Sequence, residues 1–376
     1  MINFNQSAAR QDGNNFDFLR FLLAALVVFS HSFVIAGQGA SEPLSWLSGS
    51  QTYLGEVAVN GFFVISGFLI TASWTRSRNA RDYFQKRVLR IYPGFVVICL
   101  LCALIVGPLG AASPATFFHQ FSPVSFLSHM LLLGKLDLPT TFHTNPVPDQ
   151  VNGSLWTIKI EFECYLLIAA LGLLGGFKRR LVPLALLLAS CAVSGAASLH
   201  LRGLPALPEF AAEHLRFFVY FFAGMVFYLY RDKILYRLPL LIGAVAVIAV
   251  GTWGRYLQAV MALPLTYLLM YAAFRPSAAL ASFGQKRDLS YGLYLYAWPI
   301  QQILAALLVT RLHGAATAYL LFAAALLPAL LCAWASWQLV EKPCLNLVRK
   351  PSHAQEAGEI AVVMAAEVPM PAPGTR

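Results

Sequence analysis

The sequence contains few charged residues. Asp, Glu, Lys and Arg together make up 12% of the 376 residues, against roughly 25% in a typical soluble domain. Apolar residues make up 58%, and the mean hydropathy is +0.64. Because so few charges cannot solvate a conventional polar surface, the composition excludes a soluble protein and indicates a polytopic membrane protein.

The sequence also has little that could hold a metal ion. The six cysteines lie in or near apolar stretches, and no second ligand pair follows the CxxC spacing of Cys99 and Cys102. The histidines His119, His129, His143 and His200 lack the spacing to other histidines or acids that a metal site requires. We therefore expect small buried thiols and no metal.

Long apolar runs dominate the rest of the chain. A membrane-spanning helix needs about 20 mostly apolar residues, and irregular backbone cannot face lipid. The prediction is an all-α transmembrane bundle over residues 1–343, followed by an Ala/Pro-rich tail at 344–376 that we expect to be disordered. About ten helices are predicted, near 17–37, 54–75, 92–112, 154–175, 181–200, 214–231, 237–253, 256–274, 289–310 and 314–340.

The basic residues predict the orientation of this bundle. The net charge is +10, from 27 Lys and Arg against 17 Asp and Glu, and basic residues accumulate in cytoplasmic loops. With ten membrane-spanning helices, most of the basic residues lie on the cytoplasmic side, including the cluster in the loop 76–90. Both termini then lie on the same side. No nucleic-acid partner is therefore expected. Residues 121–134 are apolar but short, and a crossing there would invert this charge bias, so we interpret them as re-entrant or interfacial.

The first predicted helix carries Asp17, Arg20 and His31. Arg20 and His31 are eleven residues apart, which places them about 20° apart on one helical face and separates them by ~16 Å along the axis. Ionisable groups inside a bilayer indicate function by default, and a histidine is a common general base. The alternative is an arginine that reaches the interface and a histidine bound to a neighbouring carbonyl.

The fourth predicted helix begins with several ionisable residues. Lys159 and Glu163 are i,i+4 and are expected to neutralise each other, which leaves Glu161 to find a partner elsewhere in the bundle. His31, predicted at a similar depth, is the candidate, because a carboxylate that orients an imidazole is a familiar base arrangement. A structural Glu–Arg or Glu–His contact between helices is the alternative.

Two further regions carry candidate binding residues. Arg87 and Arg90 share a face of the basic segment, and paired guanidinium groups suit a phosphate-bearing ligand, although topology alone explains the charge. In the ninth helix, Tyr291, Gln301 and their polar neighbours predict a polar cavity lined by aromatic rings. An ordinary interfacial aromatic belt is the alternative there.

Taken in order, these segments resemble the acyltransferase-3 family of bacterial membrane enzymes, which acylate sugars of surface polysaccharides and related glycans. The resemblance covers about residues 16–343. It rests on the following motifs: Phe16-Asp-Phe-Leu-Arg20 with ten residues before His31, Gly61-Phe-Phe-Val-Ile-Ser-Gly-Phe-Leu-Ile70, Arg87-Val-Leu-Arg90-Ile-Tyr-Pro93, Ser154-Leu-Trp-Thr-Ile-Lys-Ile-Glu161, Ser290-Tyr-Gly-Leu-Tyr-Leu295 and Glu341-Lys-Pro343.

The resemblance implies ten transmembrane helices in the bacterial inner membrane, acetyl-CoA as donor and a glycan acceptor. Arg20 and His31 match the family's Arg-x10-His motif for acyl transfer, and Arg87 and Arg90 match its donor-associated Arg-x-x-Arg motif. Glu161 matches the glutamate that follows the tryptophan.

The sequence departs from the family pattern in two places. Many members carry a histidine before the proline of the ninth helix, where this chain has Ala297-Trp298-Pro299, so that histidine's role cannot be transferred. The esterase-like module that some relatives carry after the membrane domain is not seen.

We therefore expect an O-acyltransferase that moves an acyl group, with acetyl expected, from acyl-CoA to a glycan hydroxyl. His31 and Glu161 are the predicted catalytic residues. Arg20, Arg87 and Arg90 are predicted to bind the donor, while the predicted acceptor-binding residues are Asp17, Trp156, Tyr291 and Gln301. The alternatives are a flippase for a lipid-linked sugar and, with less support, a structural partner of an export machine.

Overall fold

The computed structural model describes residues 14–198, 207–275, 277, 279–280, 283, 287–308 and 314–347. Within these residues the chain is helical and contains no strand, which confirms the predicted all-α class. The helices, in chain order, are α1 Phe16–Ile35, α2 Pro43–Ser48, α3 Leu54–Arg76, α4 Ala80–Leu101, α5 Pro114–Gln120, α6 Pro123–Leu131, α7 Trp156–Leu173, α8 Leu181–Ser198, α9 Glu209–Leu229, α10 Leu238–Trp253, α11 Leu257–Val260, α12 Ala262–Ala273, α13 Ser290–Leu308 and α14 Ala315–Ser336.

Two long helices contain a π-helical turn. α4 continues through Cys102–Val106 into Gly107–Gly110, and α14 continues through Trp337–Glu341 into Lys342–Asn346. A π-turn adds one residue to the helical repeat and is frequent at functional sites. The turn in α14 lies where that helix faces the start of α13.

Most predicted helices agree with the observed ones to within a few residues, but two predictions were wrong. The basic segment 76–90 is not a loop, because α4 begins at Ala80 with the Asn79 side chain accepting from the Asp82 amide as an N-cap. The predicted helix 256–274 is divided at Met261 into α11 and α12. Much of the predicted tail 344–376, from 348 onward, lies outside the described residues.

Five helices within the described residues are long and apolar enough to cross a membrane. They are Phe16–Ile35, Leu54–Arg76, Ala80–Gly110, Glu209–Leu229 and Ala316–Asn346. Three shorter helices are also apolar, over Leu181–Ala197, Leu238–Trp253 and Ala262–Ala273. The chain is therefore a membrane protein.

The core of the bundle depends on close helix crossings. At the crossing of α3 and α9, a Cβ atom on Gly67 would lie 2.0 Å from the Phe221 carbonyl, and one on Gly224 would lie 2.0 Å from the Val64 carbonyl. Small residues of this kind allow backbones to approach closely in membrane bundles. α1 packs against both α3 and α13, so its polar residues face the interior.

The segment 114–141 leaves and rejoins the same end of α4. Gly110, at the end of the α4 continuation, accepts a hydrogen bond of 2.7 Å from the Phe142 amide. Between these points the chain passes along α4 until the Leu131 carbonyl accepts from the Tyr92 hydroxyl at 2.9 Å. Tyr92 is eighteen residues, or ~27 Å, from Gly110 along the helix. The chain therefore turns back along α4 over this segment, and the interpretation of 121–134 as re-entrant or interfacial stays a prediction.

Candidate active site

The Asp288 carboxylate binds two of the predicted donor-site arginines. Its Oδ2 lies 2.7 Å from Arg20 Nη1 and 2.5 Å from Arg90 Nη2. Its Oδ1 accepts from the Ser290 hydroxyl at 2.6 Å and from the Ser290 amide at 3.2 Å. Burial favours the neutral acid, but the two arginines and Ser290 outweigh it and hold the pKa of Asp288 well below its usual range. Asp288 therefore fixes α1 and α4 at the start of α13. We call this end of the bundle the basic end.

Arg90 has a second acidic partner. Its Nη1 lies 3.6 Å from Glu341 Oε2, and its guanidinium carbon lies 5.4 Å from the centre of the Tyr291 ring. The π-turn of α14 carries Glu341, which also accepts from the Ser336 hydroxyl at 2.9 Å. Arg90 is thus held by two carboxylates. It differs in this respect from the free phosphate-binding fork that the sequence predicts.

Arg87 remains available for a ligand. Its guanidinium carbon lies 5.9 Å from the centre of the Tyr165 ring. Its Nε atom is buried and has no hydrogen-bond partner among the described residues. The same is true of the Trp337 indole nitrogen, and both residues line one cavity. Buried polar atoms are normally paired, so these two unpaired donors mark the cavity as a candidate ligand site.

That cavity opens at the basic end and has a volume of about 730 Å³. Its basic lining residues are Arg20, Lys86, Arg87, Arg90 and Lys342. Its acidic lining residues are Asp17, Glu161 and Asp288. We call it the basic cavity.

A second cavity, of about 70 Å³, adjoins the basic cavity. The two share the lining residues Arg20, Phe62, Ser66, Glu161 and Tyr291. We call it the inner cavity. At one side of it the hydroxyls of Tyr294 and Thr157 lie 2.6 Å apart, and Tyr294 also donates to the Ser154 carbonyl at 3.0 Å.

Glu161 does not pair with His31. Glu161 Oε1 accepts from the Ser66 hydroxyl at 3.0 Å and from the Tyr165 hydroxyl at 2.6 Å. Because Glu161 lines both cavities with Arg20, it lies near the depth of Arg20, whereas His31 is ~16 Å farther along α1. The predicted Lys159–Glu163 pair was also wrong, since Glu163 Oε2 lies 3.3 Å from His214 Nε2.

His31 lies toward the opposite end of the bundle. Its ring packs edge-to-face on Trp298, with 4.7 Å between ring centres. The Trp298 indole donates to the Gln150 carbonyl at 3.2 Å, and the neighbouring Gln302 amide donates to the same carbonyl at 2.9 Å. Segment 142–153 is therefore fixed to α13 beside His31. Tyr294, one turn or ~6 Å before Trp298, separates the inner cavity from the imidazole.

The predicted acceptor-binding residues do not form one site. Asp17 lines the basic cavity and Tyr291 lines both cavities; the Tyr291 hydroxyl donates to the Ile91 carbonyl at 2.8 Å. Trp156 instead packs on Phe217, with 5.6 Å between ring centres. Gln301 is fully buried and donates to the Val28 carbonyl at 2.8 Å and to the Ser32 hydroxyl at 2.6 Å. These contacts place Trp156 and Gln301 in helix packing and not along the two cavities.

Sequence reasoning missed the roles of Asp288, Glu341 and Trp337 in this site. Glu341 begins the motif Glu341-Lys-Pro343, and Asp288 lies two residues before the motif that starts at Ser290. Their spacing to the arginines is too long to show an ion pair. Buried arginines require carboxylate partners, and this requirement was the available signal. No group of three possible metal ligands occurs within the described residues.

Comparison with known proteins adds an independent finding. A family model described as an acyltransferase domain matches residues 14–338. The chain is 27% identical to an O-acetyl transferase of Shigella phage Sf6, over 89% of this chain and 96% of the relative. It is 31% identical to nodulation protein 10 of Rhizobium leguminosarum bv. viciae, over 42% of this chain and 44% of the relative. No solved structure matches.

Proposed function

The chain belongs to the acyltransferase-3 family, and from this premise we propose that it transfers an acyl group from acyl-CoA to a hydroxyl of a cell-surface or lipid-linked glycan. Acetyl is the expected group, because the relative from phage Sf6 is named an O-acetyl transferase. The membrane character of the chain is consistent with an acceptor that is assembled or carried on a membrane.

The basic cavity is the observation that supports a CoA donor. Five cationic side chains line it, and CoA carries three phosphate groups. Arg87 and Lys342 would bind these phosphates, together with Lys86, whose ammonium group also donates to Asp82 at 2.8 Å. Guanidinium and ammonium groups form strong charge-assisted hydrogen bonds to phosphate oxygens. Arg20 and Arg90 share the Asp288 carboxylate, which offsets part of their positive charge, so they contribute less to phosphate binding.

The inner cavity suits the narrow pantetheine arm of the donor. Ser66, Glu161 and Tyr291 line it with polar atoms, which can bind the amide groups of an extended arm. Tyr294 and Thr157 stand between this cavity and His31, so the thioester would reach His31 past that pair. Glu161 is then a residue of the arm's path and does not orient the base.

In the proposed reaction, His31 accepts the proton of an acceptor hydroxyl as its oxygen attacks the thioester carbonyl. The new C–O bond forms, the C–S bond breaks, and the leaving thiolate of CoA takes up the proton. A covalent acyl-histidine step is the alternative route.

The proposed membrane arrangement has ten crossings, both termini in the cytoplasm, and a location in the bacterial inner membrane. The basic end is then cytoplasmic, as basic loops generally are, and it faces the cytoplasmic supply of acyl-CoA. His31 and segment 142–153 are placed toward the outer side, where a glycan acceptor is available.

The test is transfer of radiolabelled acetyl groups from acetyl-CoA in membranes that contain the protein. Label should enter the glycan fraction with the wild type and fall at least 100-fold with His31→Ala, because general bases contribute 10²–10⁴-fold. His129→Ala is the matched control, since His129 lies in α6 and its ring bonds the Ser125 carbonyl of the preceding turn. Absence of CoA turnover with every glycan fraction and acyl length would contradict the proposal and favour the flippase.

A further inference from the structure

A third cavity, of about 220 Å³, lies at the end of the bundle opposite the basic end. It is surrounded by α8, α9, α11 and the first turn of α3. Its polar lining includes Glu56, Cys191, Ser194, Arg216, Tyr220 and Gln258. Glu56 precedes Ser66 of the basic and inner cavities by ten residues, or ~15 Å along α3. This outer cavity is therefore separate from the donor path.

A buried ion pair forms its polar wall. Glu56 Oε1 accepts from Arg216 Nη1 and, at 3.0 Å, from Gln258 Nε2. The other oxygen, Oε2, accepts from the Thr52 hydroxyl at 2.9 Å. The Glu56 side chain is 8% exposed, and the Nε atom of Arg216 is buried without a hydrogen-bond partner among the described residues. Arg216 thus keeps a donor that no described protein group uses.

The chemistry of this wall favours an uncharged ligand rich in hydroxyl groups. One arginine is balanced by one glutamate, so the cavity lacks the excess positive charge that a phosphate group requires. A carboxylate, a primary amide, a guanidinium and a tyrosine together supply both donors and acceptors. The volume is below the ~300–1,000 Å³ of pockets for drug-sized ligands, and a single sugar ring suits it better than a longer chain.

The outer cavity also lies at the level of His31. Gly55, next to Glu56, packs on α1 so closely that a Cβ atom there would lie 2.9 Å from the Ser30 hydroxyl oxygen. Ser30 is the residue before His31. Phe63, which lines the inner cavity, stacks on Phe217 with 4.4 Å between ring centres, and Phe217 is the residue after Arg216 of the outer cavity. A ligand in the outer cavity would therefore lie at about the same depth in the bundle as His31, the proposed base. It would not contact the pantetheine arm in the inner cavity.

We propose that the outer cavity binds one sugar unit of the acceptor glycan, which holds a neighbouring unit with its hydroxyl toward His31. This inference rests on the proposed function for the identity of the ligand as the acceptor. Arg216 donates to a hydroxyl oxygen of the bound unit, while Glu56 and the Gln258 Oε1 atom accept from its hydroxyls. Both Nε2 hydrogens of Gln258 are already used, by Glu56 and by the Gln51 carbonyl at 2.8 Å. These are positioning residues, since the reacting hydroxyl belongs to the adjacent unit.

Cys191 provides a reporter for this site because it lines the cavity. We would measure the rate at which N-ethylmaleimide modifies Cys191 in the purified full-length protein in nanodiscs, with each thiol resolved by peptide mass spectrometry. Glucose, rhamnose and N-acetylglucosamine are the probes. At least one sugar should slow the modification of Cys191 threefold or more without changing the rate at Cys344.

The Gln258→Ala variant localises the protection. It should lose the protection by the same sugar, while Gln85→Ala, a matched change at an exposed position of α4, should retain it. Both variants are first checked for a monodisperse elution profile. Cys191 modification unchanged by all three sugars, or protection that persists in Gln258→Ala, would overturn the proposal.

A kinetic measurement links the site to the acceptor. With a disaccharide that contains the protecting sugar supplied as acceptor, Gln258→Ala should raise the KM for the disaccharide five- to tenfold and leave the KM for acetyl-CoA unchanged. Protection without any acyl transfer would support the sugar site and contradict the proposed function. Acyl transfer without protection would contradict the sugar site alone.

Discussion

At the residue scale, the arginines of the basic end depend on very few carboxylate partners. One oxygen of Asp288 binds both Arg20 and Arg90, and Arg90 also approaches Glu341. The side chains of the central three residues are 23%, 15% and 14% exposed for Arg20, Asp288 and Arg90. Removal of one partner from a buried ion pair is far more costly than its formation is stabilising. Asp288 therefore matters for the fold as well as for the site.

Replacement of Asp288 tests this role. Asp288→Asn leaves two arginines without their shared carboxylate, and we expect it to lower the free energy of unfolding by about 3–5 kcal/mol. The measurement is thermal unfolding in detergent, read from the loss of monodisperse protein. Asp232→Asn is the control, because the Arg180–Asp232 pair is roughly half exposed and exposed ion pairs contribute little to stability. Equal effects of the two substitutions would contradict the central role of Asp288.

The pH dependence of the same comparison has a defined direction. The pKa of Asp288 is lower in the folded protein than in the unfolded chain, so its contribution is fully present above the unfolded pKa of about 4. It is lost as the pH falls below that value toward the folded pKa. The stability difference between wild type and Asp288→Asn should stay constant from pH 8 to 5 and shrink below ~4. A difference that already shrinks between pH 7 and 5 would contradict this assignment.

The unpartnered indole nitrogen of Trp337 makes a prediction about the donor. Trp337→Phe keeps an aromatic ring but removes the N–H donor, and a hydrogen bond of about 0.5–1.5 kcal/mol corresponds to a two- to tenfold change. We expect the KM for acetyl-CoA to rise by that factor with kcat unchanged. Trp334→Phe is the matched control, since Trp334 lies on the same helix and is 46% exposed. The measurement is steady-state kinetics in proteoliposomes. If both variants had the wild-type KM for acetyl-CoA, this role for Trp337 would be excluded.

At the element scale, helix packing explains which predictions from sequence could succeed. Apolar runs such as Phe16–Ile35 and Leu54–Arg76 are set by local composition, and their bounds were predicted to within two residues. The start of α4 was missed because its basic residues line a cavity inside the bundle. Sequence alone gives each residue's position along its own helix but not the offset between helices. For that reason Glu161 was predicted beside His31, whereas it lies near the depth of Arg20.

The crossing of α3 and α9 tests how tightly these elements are matched. Gly224→Ala places a methyl group 2.0 Å from the Val64 carbonyl oxygen, so the helices must separate. We expect a loss of about 1–3 kcal/mol or more, as for other overpacked interiors. Gly243→Ala is the control, because nothing lies within 4 Å of a Cβ atom there and alanine favours a helix by about 1 kcal/mol. In thermal unfolding, the Tm of Gly243→Ala should equal or exceed that of the wild type, and the Tm of Gly224→Ala should be well below it.

At the scale of the whole molecule, the proposed reaction requires the donor and the acceptor to approach from opposite sides. The basic cavity lies at one end, and the outer cavity with segment 142–153 lies at the other. The two ends are connected through the bundle by α1, which carries Arg20 near the first and His31 near the second. This separation explains why an enzyme of modest size would need helices long enough to cross a membrane.

The sidedness of the ends can be measured with single cysteines placed at Ser77, Ser113, Thr144 and Arg179. A membrane-impermeant maleimide should label Ser113→Cys and Thr144→Cys in intact cells, and Ser77→Cys and Arg179→Cys only after permeabilisation, with each site read by peptide mass spectrometry. Ser113 and Thr144 flank the segment that leaves and rejoins Gly110, so a re-entrant path keeps them on one side. If the segment 121–134 crossed the membrane, these two positions would label from opposite sides. The labels at Ser113→Cys and Thr144→Cys therefore decide between eleven crossings and the proposed ten, in which basic loops stay inside.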